Sequence, residues 1–443
     1  MWEERKQLSG EILEDGARVL EDPAACLAPA DALAVRRTTF LQGRRVGLAA
    51  AVLNVMNAIM GSGVLALPSV MASNGVVLYA ALQLGVMVAV DFSLHLLVRA
   101  SVATRLFDYE ALGREALGGA GRLAVIGSIL VQNTGACLSY LVVIGDIAPH
   151  LAHTFGLAGV GAQRSFLMSA SVALLVFPLA CTRTVGLLGY AALVGFGAML
   201  LLCVLVSLQF FRLHAAHGEA LAIATPCVET ALALPALCFS FVCHTAFLPV
   251  LRELREADGL ARAARADGRV ALVSHWAIGL AGGVYMWCAA WGYATFGRRV
   301  DGDLWDSFTK AAPNDAFVSV VRVGFLLSII FTIPLILFPM RKALRELVCP
   351  AAAFTWRAHI LTTAALLGAL LGVAIALPGI KSVFSIVGAT SSVMLVFVLP
   401  SCIYLHVVKD SARTTRIGAK LLFLLGIGVA IAAFVGVALN GLR

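Results

Sequence analysis

Charged residues are scarce in this sequence, and that scarcity limits the kinds of protein it can form. Asp, Glu, Lys and Arg make up 13% of the 443 residues, whereas aliphatic, aromatic and cysteine residues make up 60%. A soluble domain typically has about a quarter charged residues. A chain of this composition cannot cover itself with a polar surface. Soluble globular classes are therefore excluded, and a lipid bilayer is the expected surrounding.

The sequence also lacks the common motifs of enzymes and metal proteins. It contains no CxxC pair, no HExxH, no P-loop and no GxSxG, so we expect neither an enzyme nor an organic cofactor. A channel is disfavoured because no repeated polar lining is present. The net charge of +8 is explained by basic loops facing anionic lipid, without a nucleic-acid partner.

Apolar stretches of about 20 residues, the length that crosses about 30 Å of hydrocarbon, recur along the whole chain. They predict an all-α membrane protein of eleven transmembrane helices. The predicted spans are 47–73, 76–99, 123–149, 165–181, 187–211, 230–251, 270–296, 317–339, 358–378, 383–407 and 419–440. The loop around 101–122 is amphipathic and predicts a short helix at the membrane surface.

The distribution of basic residues predicts the orientation. Most of the 33 Lys and Arg residues fall in segments that lie inside if the N-terminus is cytosolic, as the positive-inside rule requires. Residues 1–46 are then a cytosolic tail that could recruit cytosolic partners, and residues 47–440 form a multi-pass domain. A plasma membrane and a lysosome- or vacuole-type membrane both remain open.

The first span contains the most informative stretch, NVMNAIMGSGVLALP at residues 54–68. Gly61, Ser62 and Gly63 weaken the helix at mid-span, because glycine costs about 1 kcal/mol relative to alanine and serine competes for backbone hydrogen bonds. Unwound backbone there would offer amides to a carboxylate, and the carbonyls from Asn57 to Met60 to a cation. The alternative is that the small residues form a packing face between helices.

The sixth span carries a second interruption. Its sequence, ALPALCFSFVCHTAFLPV at residues 233–250, has Pro235 and Pro249 on either side of a polar centre that includes Ser240 and His244. Corresponding breaks in two halves of a chain indicate an inverted-repeat transporter with its site at mid-membrane. The predicted repeats are about 47–211 and 230–407, and the helix at about 419–440 is extra.

Other polar groups within the spans suggest ion binding. Ser328 and Thr332 of the eighth span lie four residues apart, so their hydroxyls project on one helix face and could bind Na⁺; bonds to their own i−4 carbonyls are the alternative. Asp91 and His244 are candidates for a proton or pH-sensing role, or for structural hydrogen bonds.

Two histidine pairs, spaced three residues apart, could ligate a metal but are better explained as interfacial residues. They are His150 with His153 and His214 with His217.

Four segments resemble a known family. They are NAIMGSGVLALP (57–68), FSFVCH (239–244), GYATFG (292–297) and TIPLILFPMRKAL (332–344). Together they are similar to the amino acid/auxin permease family, and to its sodium-coupled neutral amino acid transporter branch. Many relatives have Pro-Glu after the histidine of helix 6, whereas this chain has Thr245 and Ala246.

The resemblance implies a 5+5 inverted repeat of leucine-transporter type, with helices 1 and 6 broken. It implies that Asn57 and Thr332 belong to a Na⁺ site, to which the residue patterns add Met60 and Ser328. It also implies a substrate site that combines small residues of helix 1 with two residues of helix 6. These are Gly61, Ser62, Gly63, Phe239 and Ser240.

The leading hypothesis is a secondary active symporter of small neutral amino acids, driven by Na⁺ and working by alternating access. Coupling to H⁺ instead of Na⁺ is the nearest alternative. A membrane receptor that senses amino acids and transports little is an alternative from a different class. Asn57 and Thr332 favour Na⁺, and Asp91 and His244 keep H⁺ open; a receptor would carry the same binding motifs as a transporter.

Overall fold

The structure, a computed structural model, describes the greater part of the chain after residue 46. The described residues are 47–154, 156, 163–182, 186–217, 222–224, 228–258, 263–313, 315–348, 355–377, 380–409 and 412–441. The predicted tail 1–46 lies outside them. Every regular element within these ranges is helical.

The helices follow the predicted order of spans. In chain order they are α1 (Leu48–Ile59), α2 (Leu67–Asn74), α3 (Val76–Thr104), α4 (Tyr109–Thr154), α5 (Arg164–Cys181), α6 (Gly186–His217), α7 (Val228–Ser240), α8 (His244–Asp258), α9 (Ala263–Phe296), α10 (Leu304–Ala311), α11 (Ala316–Val348), α12 (Trp356–Ala376), α13 (Ile380–Val387), α14 (Leu399–Val407) and α15 (Arg413–Gly441). Two π-helical segments, Gly388–Ser392 and Met394–Val398, join α13 to α14.

The described helices account for the eleven predicted spans. Ten stretches are long and apolar enough to cross a membrane, and the first span is a further crossing divided between α1 and α2. The surface helix predicted near 101–122 forms the beginning of α4. Gly118 separates it from the membrane-spanning part, with φ of 65° and ψ of −150°. This left-handed conformation suits glycine, which lacks a Cβ.

Successive spans run in opposite directions, so the helix ends fall into two groups. We call the side on which α1 begins the N-terminal side. An ion pair of 2.9 Å between Arg122 of α4 and Glu346 of α11 lies there. The short helix α10 lies on the opposite side, where Arg212 of α6 is 3.0 Å from Asp315. On each side of the bundle, an ion pair outside the apolar zone thus links neighbouring helices.

The broken helices lie at the centre of the bundle. In the apolar part of the α7–α8 span, and in that of the span that ends with α14, 72% of the residues are buried. The corresponding share is 22% in α5 and α12. Large apolar side chains cover the outer faces: Leu84, Leu361 and Leu424 are 61–68% exposed. Such faces are compatible with lipid and not with water. The centre, by contrast, is where irregular backbone is tolerated, since protein surrounds it.

Candidate functional site

The first span is interrupted where the sequence predicts it. Helix α1 ends at Ile59, Gly61 is extended with φ of −144° and ψ of −160°, and a short 3₁₀ turn over Ser62–Leu65 leads into α2. The last carbonyls of a helix and the first amides of the next have no intrahelical partners. The break therefore presents both acceptors and donors of hydrogen bonds inside the bundle.

Two of the small residues at this break pack closely against neighbouring helices. The Ser62 hydroxyl lies 2.7 Å from that of Ser139 in α4, which itself donates to the carbonyl of Ala136. A methyl group placed on Gly63 would lie 2.5 Å from Ser240 Oγ. Gly63 thus allows α7 to approach, as the packing interpretation requires. The backbone amides of the break are a separate feature from these side-chain contacts.

The sixth span is interrupted between α7 and α8. Phe241, Val242 and Cys243 are not helical, and α8 begins at His244. Pro235 and Pro249 lie within α7 and α8, so the prolines flank the break and do not form it. The ring of Phe239 faces Phe384 of α13 with 4.8 Å between centroids. The predicted residues Phe239 and Ser240 are therefore the last two of the half-helix that ends at the break.

A tyrosine that the sequence does not single out joins the two breaks. The hydroxyl oxygen of Tyr285, in α9, lies 2.7 Å from the carbonyl oxygen of Ile59 and 3.2 Å from that of Ser240. These two residues end α1 and α7. The structure therefore brings the C-terminal ends of both half-helices to one point, where their partial negative charges add.

Two of the four predicted cation residues, Asn57 and Ser328, lie near one another. A methyl group placed on Gly195 of α6 would lie 2.5 Å from Asn57 Oδ1 and 3.4 Å from Ser328 Oγ. Oxygen atoms from α1 and α11 thus face the same small space beside Gly195. Thr332 instead donates its hydroxyl to the carbonyl of Ser328 at 2.7 Å, and Met60 donates its amide to Met56. Gly195 could not be identified from sequence, because its role depends on α6 touching α1.

The two ionisable candidates have different surroundings. His244 is fully buried, with Nε2 2.6 Å from the hydroxyl of Ser93 and Nδ1 without a hydrogen-bond partner. Asp91 lies on the outer side of α3, where Oδ1 is 2.8 Å from Nδ1 of His275 and accepts from Ser274 at 2.9 Å. Asp91, Ser274 and His275 line an open groove of about 1040 Å³ between α3 and α9. Asp91 is therefore not among the contacts of the two breaks described above.

Helix α10 lies over the opposite side of the bundle. Asp303 caps it by accepting the amide of Trp305 at 2.8 Å, and the Arg322 side chain of α11 donates to Thr309 at 2.7 Å. Burial raises the pKa of the Asp303 carboxyl well above its ordinary value, and the nearby Asp146 and Asp306 add to the effect. As pH falls, the arrangement in which Asp303 is buried therefore gains stability relative to one in which Asp303 is hydrated.

Metal ligands do not form a cluster in the described part of the chain. No group of three or more His, Cys, Asp or Glu residues that could hold a metal ion is found there. His150 and His153 lie near the end of α4. The side chains of His214 and His217 are outside what the structure describes.

Comparison with known proteins gives the same picture of fold and class. A family described as transmembrane amino acid transporter protein matches residues 44–439. A manganese transporter from Eremococcus coleocola, solved with an aromatic bis-isothiourea compound, aligns at 11% identity and TM-score 0.55, covering 89% of this chain and 95% of its own. Mhp1, a nucleobase-cation-symport-1 family transporter solved with bromovinylhydantoin, aligns at 12% identity and TM-score 0.56, covering 88% and 90%. These similarities show the leucine-transporter type of fold.

A packing role for the Gly63 side of the break can be tested by stability. Gly63→Ala is expected to lower the free energy of unfolding by about 1–3 kcal/mol, because the added methyl group overpacks the contact with Ser240. The double variant Gly63→Ala/Ser240→Gly is expected to regain most of the lost thermal stability in detergent. Gly85→Ala, where nothing lies within 4 Å of the added group, is the control. A double variant no more stable than Gly63→Ala would contradict the packing role.

Proposed function

The chain belongs to the transmembrane amino acid transporter family, and from that premise we propose that it is a Na⁺-driven symporter of small neutral amino acids. The observation that carries the proposal is the meeting of the α1 and α7 breaks at the hydroxyl of Tyr285. Two half-helices that end together inside a membrane bundle supply the paired backbone groups that an amino acid needs. Alternating access would expose this point to each side in turn.

The substrate carboxylate would bind at the start of the outer half of the first span. The amides of Gly61, Ser62 and Gly63 precede or begin the 3₁₀ turn that leads into α2. Helix N-terminal amides and the positive end of the helix dipole favour an anion. The hydroxyl of Ser62 is engaged with Ser139, so the backbone is the better candidate for this contact.

The substrate ammonium group would bind at the C-terminal ends of the half-helices. The carbonyls of Ile59 and Ser240 face the same hydroxyl, and an ammonium group with three donors could satisfy both. The described contacts of the breaks named above come from uncharged side chains: Tyr140, Ser139, Tyr285 and Phe384. This lining supports a substrate with a neutral side chain, because an added charge would have no partner there.

The cation would bind beside Gly195. Asn57 Oδ1 and Ser328 Oγ face that space, and the last carbonyls of α1 belong to the same turn as Asn57. Oxygen ligands of this kind suit Na⁺. Because Asn57 and Ile59 belong to the same last turn of α1, an ion held by Asn57 would also order the carbonyl that receives the ammonium group. The resulting difference in substrate affinity with and without Na⁺ is the coupling.

Ion replacement tests the proposed driving force. We expect purified protein in proteoliposomes to take up a small neutral amino acid when external Na⁺ is present, and to lose most uptake when choline replaces Na⁺ at fixed pH. Uptake that persists in choline would contradict Na⁺ coupling. If such uptake then followed an imposed pH gradient, H⁺ coupling would be the correct alternative, with Asp91 and His244 the groups to substitute first.

A matched pair of glycine variants tests the cation position. Gly195→Ala places a methyl group 2.5 Å from Asn57 Oδ1, whereas Gly197→Ala, two residues along the same helix, meets nothing within 4 Å. Gly195→Ala is expected to raise the Na⁺ concentration for half-maximal uptake about tenfold, which corresponds to about 1.4 kcal/mol. The KM for the amino acid at saturating Na⁺ should change little, and Gly197→Ala should behave as the unchanged protein. Equal effects of the two variants on Na⁺ dependence would remove the ion from this position.

A further inference from the structure

The hydroxyl of Tyr285 is surrounded by the same backbone groups that the proposed substrate requires. It lies within hydrogen-bonding distance of the Ile59 and Ser240 carbonyls, which end α1 and α7. These two carbonyls are the proposed partners of the ammonium group. One hydroxyl therefore occupies the centre of the site.

The side chain is held firmly in this position. Tyr285 is fully buried, and its ring packs edge-on against Phe241 of the second break with 5.2 Å between centroids. On the other side of the first break, a methyl group placed on Gly61 would lie 2.6 Å from the hydroxyl oxygen of Tyr140. A substrate group that binds the Ile59 and Ser240 carbonyls would therefore compete with the Tyr285 hydroxyl.

A phenol is a weaker partner for this site than an ammonium group. It has one hydrogen to donate and cannot serve two carbonyls equally, which agrees with the unequal distances of 2.7 and 3.2 Å. An ammonium group brings three donors and a charge, and charge-assisted hydrogen bonds are roughly twice as strong as neutral ones. An arriving amino acid could therefore displace the hydroxyl.

Resting on the proposed function, we propose that Tyr285 is a tethered placeholder for the ammonium group of the substrate. In the empty protein its hydroxyl satisfies backbone groups that would otherwise be unpaired in the membrane interior. The substrate displaces it and takes over the same partners. Tyr285 is thus a positioning residue that opposes substrate binding while it stabilises the empty site.

Removal of the hydroxyl should tighten substrate binding. Tyr285→Phe is expected to lower the KM for a small neutral amino acid about fivefold, because the substrate no longer competes with the hydroxyl. Tyr293→Phe is the matched control: it lies on the same helix, is fully buried, and its hydroxyl accepts the amide of Ala222 away from the breaks. Its KM should not change. A KM that rises or stays the same in Tyr285→Phe would overturn the placeholder role.

Thermal stability separates this role from a purely structural one. Empty Tyr285→Phe should melt at a lower temperature than the unchanged protein, and saturating amino acid with Na⁺ should close the gap, because the substrate then satisfies the same carbonyls. A deficit that persists with bound amino acid would make Tyr285 a permanent brace and contradict the placeholder. If the unchanged protein itself shows neither uptake nor a ligand-dependent rise in melting temperature, the proposed function fails first.

A second substitution, which keeps the hydroxyl, is expected to act in the opposite direction. Replacement of Tyr285 by 3-fluorotyrosine keeps the ring and the hydroxyl, and makes the hydroxyl a stronger donor. The KM for the amino acid should then rise, while Tyr285→Phe lowers it. Changes of KM in the same direction for both substitutions would contradict displacement of the hydroxyl.

Discussion

The requirement that backbone groups inside a membrane find partners governs this molecule. Two helices stop in the interior of the bundle, at Ile59 and at Ser240, and their terminal carbonyls cannot be left facing lipid. The hydroxyl of Tyr285 lies within donating distance of both carbonyl oxygens. Around that point the most buried spans gather, while the apolar faces of α3, α12 and α15 are turned outward. The polar breaks are thus buried at the centre, and helices with apolar outer faces separate them from lipid.

Much of the architecture could be predicted from local properties of the sequence. Apolar length predicts the spans because each must cross the same thickness of hydrocarbon. Gly61, Ser62 and Gly63 indicate the first break because their cost in a helix is local. Pro235 and Pro249 on either side of a polar centre indicate the second break, and in the structure the two prolines lie on either side of it. The family resemblance supplied the 5+5 form of the repeat and the roles of Phe239 and Ser240, which composition and spacing alone do not determine.

What could not be predicted depends on contacts between distant parts of the chain. Tyr285 meets a carbonyl 226 residues earlier, and nothing in its own neighbourhood marks it. Gly195 matters only because α6 brings it against Asn57. Asp91 pairs with His275 of α9, 184 residues later. In each case the identity of the residue is visible in the sequence, but its partner is set by helix packing.

The central claim is that the two breaks together form the binding site, and hydrogen–deuterium exchange measures their backbone directly. Exchange would be followed in peptides that cover 59–66 and 238–246, with Na⁺ alone and with Na⁺ plus a small neutral amino acid. The amino acid is expected to slow exchange in both peptides together, since it binds amides of the first peptide and the Ser240 carbonyl of the second, and closes the surrounding site. Protection that appears elsewhere, with both of these peptides unchanged at saturating amino acid, would contradict it.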